Sequence, residues 1–199
     1  MADNYQLQAL QARKYFLRYD QQQLIGKCHL KSDRDYLYLQ LFGISYRLNR
    51  SDGALEKFLS GRWQDAGSHG EVMTVLDLLC DSDPLRHAGG RFRSMQDFGH
   101  RFHQNLGEHN PLAALLQAHP QALRKACESL GGTVFPQGDI AYEIPVFEDL
   151  HLILQLWLGD EEFPSDLRFL WDENALLYLK YETMYYAVDV LTAYIKTFF

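Results

Sequence analysis

The sequence predicts an α+β fold: a mainly antiparallel sheet built from an N-terminal meander and C-terminal strands, helices inserted between them, and a C-terminal helix packed on it. Three observations carry this expectation. Apolar residues alternate with period two between 37 and 48, and strand-like apolar runs return at 140–158. Between these stretches the apolar spacing is helical, and it is helical again at about 181–197. Strands at both ends with helices between them, rather than strict alternation, give α+β.

Residues 4–20 read as the first helix, with Leu7, Leu10, Lys14 and Leu17 at helical spacing and Tyr15, Phe16 and Tyr19 widening the face. From Gly26 the period changes. Leu37, Leu39 and Leu41 alternate with Tyr36, Tyr38 and Gln40, and Ile44, Tyr46 and Leu48 resume the alternation on even positions. Gly43 sits at that change of phase, as a bulge or tight bend requires. Ser51-Asp52-Gly53 is a hairpin turn, and a short third strand through Leu55 completes a meander. Val72, Val75, Leu76 and Leu79 make 71–80 a helix, which Asp81-Ser82-Asp83-Pro84 ends. Further helices are expected near 95–106, 111–118 and 120–130, the last closed by Gly131-Gly132. Ile140–Phe147 is a strand that Pro145 places at an edge or a bulge. Glu148-Asp149 turns the chain into Leu150–Leu158, apolar on both faces and therefore central. An extended piece follows around Arg168–Trp171, and the last helix turns Met184, Val188, Leu191 and Ile195 inward. No repeat or linker divides the chain, so 1–199 is expected as one domain: helix and meander at 1–60, helices at 70–132, and a strand–loop–helix part at 139–199.

Of the 199 residues 47% are hydrophobic and 23% charged, which suffices for a core and excludes a disordered chain. The three cysteines, Cys28, Cys80 and Cys127, are odd in number and far apart, so neither a disulfide framework nor a CxxC metal site is expected; Cys80 and Cys127 fit core thiols. The apolar runs fall well short of the ~20 residues of a membrane span, and Met1-Ala2-Asp3-Asn4 lacks the basic flank of an export signal. A cytoplasmic protein that contacts no membrane is therefore expected. The net charge is −7, and the whole excess lies in 148–199, where ten acidic residues face Arg168, Lys180 and Lys196. Such a balance without a basic run argues against nucleic-acid binding.

Three constellations bear on chemistry. Asp160-Glu161-Glu162 follow the most apolar strand, with Asp172, Asn174 and Glu182 further on. Hard cations take oxygen ligands, and paired carboxylates can split their pKa values, but a polar turn with Asp172 or Asn174 capping a helix uses the same residues. Gly89-Gly90-Arg91 combines backbone N–H groups with guanidinium, the elements of an anion pocket, or is a Gly-Gly turn beside solvated arginines. Six of the eight histidines lie between His69 and His119; His100 and His103 share a helical spacing to which His109 can add, a pattern equally suited to surface or core. Tyr178, Tyr181, Tyr185, Tyr186 and Tyr194 crowd the last helix, as packing or as the lining of a pocket. There is no GxSxG elbow, no GxGxxG after a strand and no kinase signature.

The order Gly89-Gly90, Phe98-Gly99, Leu130-Gly131-Gly132, Gly138-Asp139, Ile144-Pro145-Val146-Phe147, GDEEFP at 159–164, Leu170-Trp171-Asp172 and Glu182 resembles one family. It is the domain-of-unknown-function family numbered three-seven-eight-six, single-domain proteins found mostly in anaerobic bacteria and archaea. Its members usually carry Phe where Trp171 stands, and Asp83–Ala88 departs from their pattern. Some members are joined to or encoded near iron–sulfur and corrinoid proteins, so the resemblance implies a supporting role in anaerobic cofactor or one-carbon metabolism. The leading expectation is an accessory protein, not an enzyme, that binds a small ligand, cofactor or protein partner in a pocket roofed by Asp160–Pro164; the residues name no cofactor. One alternative is a metal-assisted hydrolase or lyase using Asp160, Glu161, Glu162, Asp172 and Glu182. The other is a structural lock in which Glu162 binds backbone N–H groups and Phe163-Pro164 plugs the core.

Overall fold

The computed structural model describes residues 4–98 and 111–199. Most of the helix expected at 95–106 lies outside them, as do His100, His103 and His109; a 3₁₀ turn occupies Met95–Phe98. The chain divides into two compact units, one made of Met1–His87 with Leu176–Val190, the other of Ala88–Ala175 with Leu191–Phe199.

The first unit starts with α1 (Asn4–Phe16), shorter than the apolar spacing suggests. Asp20 then accepts the N–H groups of Gln22 and Gln23 and starts a second helix, α2 (Gln21–Lys27), that the pattern does not announce. Leu7, Leu10 and Leu17 do not form the inward face; Leu10 is 49% exposed, and α1 buries Ala9 and Phe16 instead. Five antiparallel strands follow in meander order: β1 (Lys31–Ser32), β2 (Tyr36–Leu41), β3 (Ile44–Asn49), β4 (Leu55–Leu59) and β5 (Arg62–Asp65). The change of phase at Gly43 is a two-residue hairpin, with Phe42 and Gly43 both at positive φ, and Ser60-Gly61 repeats the device between β4 and β5. Leu37, Leu39, Leu41, Tyr46, Leu48 and Leu55 fill the buried face. On the opposite face Arg47 pairs with Glu56 at 2.6 Å and lies over the Tyr36 and Trp63 rings.

The next helix, α3 (His69–Cys80), is capped by Ser68 and buries Val72, Val75, Leu76 and Leu79. Its Glu71 is buried with three donors: Tyr46 Oη at 3.0 Å, Lys57 Nζ at 2.6 Å and Ser68 Oγ at 2.7 Å. The Tyr46 and Lys57 bonds fix the start of α3 to β3 and β4, and all three donors together offset the cost of burying the charge. At the other end Lys27 Nζ donates to the Cys80 and Ser82 carbonyls, a cation at the negative end of the helix dipole.

The second unit holds α4 (Pro111–Ala118), α5 (Pro120–Ser129) and a sheet of β6 (Phe92–Ser94), β7 (Thr133–Val134), β8 (Ile140–Phe147), β9 (Leu150–Trp157) and β10 (Asp166–Asp172). The antiparallel order is β6-β10-β9-β8-β7, so β9 is central, as its continuous apolar run predicts. Pro145 sits at a register shift of β8, beyond the two residues that pair with β7. The last helix, α6 (Tyr181–Ile195), buries Met184, Leu191 and Ile195 and half-buries Val188. Helices and antiparallel sheets make the chain α+β, with the strands shared between two sheets. Among the described residues no helix is long and apolar enough to cross a membrane.

Candidate functional site

The GDEEFP loop, at the end of the central strand β9, is organised by Asp160. Its Oδ1 accepts the N–H groups of Glu162 and Phe163, each at 2.8 Å, and these bonds hold its carboxyl below the usual range. Gly159 is required by contact rather than by dihedral angle: a Cβ there would lie 2.5 Å from the Ser165 nitrogen. Glu161 and Glu162 are exposed, and Phe163 is 67% exposed. The arrangement expected of a lock is not found: Asp160 rather than Glu162 binds the backbone N–H groups, and Phe163 lies outside the core.

Asp172 ends β10 and is only 2% exposed. Its Oδ1 accepts from the N–H of Gly89 at 2.9 Å and of Asn174 at 2.8 Å, while Oδ2 accepts from the N–H of Gly90 at 2.8 Å. Two constellations that are separate in sequence thus meet: the Gly89-Gly90 N–H groups cradle an anion, and that anion is the chain's own Asp172. Beside it Glu173 takes Arg91 at 2.8 Å and Arg93 at 2.9 Å, the Arg91 bond foremost in holding its carboxyl below the usual range. A Cβ on Gly89 would lie 2.5 Å from Glu173 Cγ, so a side chain there would push Glu173 out of its place.

Glu182 belongs to the first unit, in the first turn of α6. It borders a groove of about 550 Å³ formed by α1, the C-terminal half of α3 and the start of α6. Ala12, Met73 and Leu76 give its wall an apolar part, Tyr15 and Tyr186 an aromatic one, and Gln8 and Gln11 contribute amides. Asp77, Asp81, Lys180 and Glu182 supply charge. Lys180 Nζ stands 2.8 Å from Asp77 Oδ1 and pairs with Asp81 Oδ2, while the Lys180 backbone N–H donates to Asp77 Oδ2 at 2.8 Å. Burial opposes the Lys180 charge, but the bonds to Asp77 and Asp81 outweigh it and raise its pKa. Burial likewise works against the Asp81 carboxylate, and the Lys180 bond more than compensates, leaving it below the ordinary range. Tyr19 Oη bridges Asp81 Oδ1 at 3.1 Å and Tyr15 Oη at 2.9 Å.

The sequence pattern marks Glu182 but not Asp77, Asp81 or Lys180. Asp77 interrupts an apolar helical run, and that interruption is the one available signal; Asp81 reads as part of a helix stop. The pocket expected beneath Asp160–Pro164 is not this groove, which belongs to the first unit while that loop belongs to the second. Among the described residues no three His, Cys, Asp or Glu side chains converge as a metal site would need. All three cysteines are buried and none is in a disulfide, and burial pushes the Cys80 and Cys127 thiols up to about 12.

Compared with known proteins, the chain matches no curated protein and no solved structure. Residues 20–194 match DUF3786, described as a domain of unknown function, which leaves α1 outside the matched region. With most of its length matched, including the Gly89–Asp172 corner, the GDEEFP loop and Glu182, the chain belongs to the DUF3786 family.

Proposed function

We propose that this chain is a binding protein, an accessory rather than a catalyst, whose ligand site is the groove of the first unit. The observation that carries this reading is the groove's make-up. A space of about 550 Å³ lies within the range of small-molecule sites, and it joins an apolar and aromatic wall to converging charged side chains. Such a site orients a small ligand; nothing in it pairs a nucleophile with a base. A supporting role in anaerobic cofactor or one-carbon metabolism, as the family resemblance implies, suits a protein of this kind.

In this reading the 159–174 segment is structural. Asp160 and Asp172 commit carboxylate oxygens to backbone N–H groups, which favours stabilisation over the metal-assisted hydrolysis alternative. The test is a fragment screen of the full chain by saturation-transfer NMR, repeated on Ala12→Trp, which fills the groove from α1. Hits on the parent that disappear in Ala12→Trp are expected. Hits that persist unchanged in a folded variant would move the site elsewhere.

A further inference from the structure

We infer that the groove takes an organic cation, an ammonium group carried on an apolar or aromatic body; this rests on the binding reading above. Four observations converge. First, Lys180 is the one cation among Asp77, Asp81 and Glu182 on the groove wall, and Asp77 and Asp81 already hold it, so a ligand meets net negative charge. Second, Asp77 and Asp81 stand one turn apart at the C-terminal end of α3. Like charges at that spacing repel, and the helix dipole disfavours anions there, so local stability alone would not place them together.

Third, Asp77 is 5% exposed, and its Oδ1 is a buried acceptor that pairs with an ammonium, Lys180 Nζ, at 2.8 Å. Lys180 therefore fills this seat from the chain itself, as an ammonium would. The Lys180 side chain is 60% exposed and can swing out, and an incoming ammonium with its own N–H donors would take its place. Fourth, the Tyr15 and Tyr186 rings and the Met73 and Leu76 side chains offer cation–π and apolar contact for the body that carries the charge.

The experiment is isothermal titration calorimetry of the full chain with three probes of matched shape: phenethylammonium, neutral phenethyl alcohol and anionic 3-phenylpropionate. Phenethylammonium is expected to bind saturably and at least about tenfold tighter than phenethyl alcohol, a difference of about 1.4 kcal/mol, with no binding of 3-phenylpropionate. Glu182→Gln, at an exposed position, is expected to weaken the cation roughly threefold to tenfold. Lys180→Met is expected to tighten it, because the internal competitor is gone; if that variant fails to fold, Asp81→Asn, expected to weaken binding, carries the test with Glu182→Gln. Binding of 3-phenylpropionate that Lys180→Met abolishes would overturn the inference and leave the groove as an anion site. Equal affinity for the alcohol and the ammonium would overturn it as well. Failure of all three probes while library fragments still occupy the groove defeats the inference alone, whereas an empty groove in both experiments defeats the binding reading itself.

Discussion

Asp172 satisfies backbone N–H groups that lie 82 and 83 residues earlier in the chain, at Gly90 and Gly89, and that of Asn174 two residues on. Three donors on a buried carboxylate make it a structural anion whose loss strands each of them. Asp172→Asn would turn an NH₂ group towards N–H groups that need an acceptor, and it is expected to cost about 2–3 kcal/mol in urea unfolding. A cost under about 0.5 kcal/mol, the level of an ordinary surface change, would show that these bonds contribute nothing. Both partners were legible in the sequence as residues of interest, Gly89-Gly90 as an anion cradle and Asp172 as a carboxylate. Their pairing was not, because a contact across more than eighty positions leaves no local pattern. Glu71 shows the same limit: its place as a capping residue can be read locally, whereas Tyr46 and Lys57 reach it from strands β3 and β4.

Among the elements, α1 tests how far periodicity can be trusted. The spacing of Leu7, Leu10 and Leu17 is helical, and a helix forms, but it buries Ala9 and Phe16 rather than the leucines. Periodicity reports that a helix is amphipathic; which apolar residues find a partner depends on elements distant in sequence. Phe16→Ala is expected to destabilise the fold by about 3 kcal/mol, and Leu10→Ser by no more than about 0.5 kcal/mol, both from chemical denaturation. A reversed order would mean that the leucine face is the packed one. Strands were easier to read than helix faces: β2, β3, β8 and β9 all fall where alternation or a continuous apolar run puts them. The short β1, β5 and β7 escaped, since strands of two to four residues carry too little pattern, and α2 was hidden by its seven-residue length.

On the scale of the whole molecule, the depressed carboxylates set the pH response. Asp33 is lowered chiefly by the Tyr38 hydroxyl, Asp160 by the Phe163 N–H and Glu173 by Arg91, while at Asp81 burial is outweighed by Lys180. A carboxyl whose folded pKa lies below its unfolded value contributes stability above the unfolded value and loses it as pH falls through the folded one. The urea midpoint is therefore expected to drop steadily below about pH 4. A midpoint at pH 3 equal to that at pH 5.5 would contradict these assignments. The division into two sheets was beyond the sequence pattern, because alternation identifies strands but not which of them share a ladder.

The binding groove is the central claim, and backbone chemical-shift mapping of the full chain against fragment hits tests it most directly. Perturbed amides are expected to gather at Gln11, Tyr15, Asp77, Asp81, Thr183 and Tyr186, where α1, α3 and α6 frame the groove. Perturbations gathered instead at 159–174 would place the ligand on the loop and the Asp172 corner, and would contradict the account.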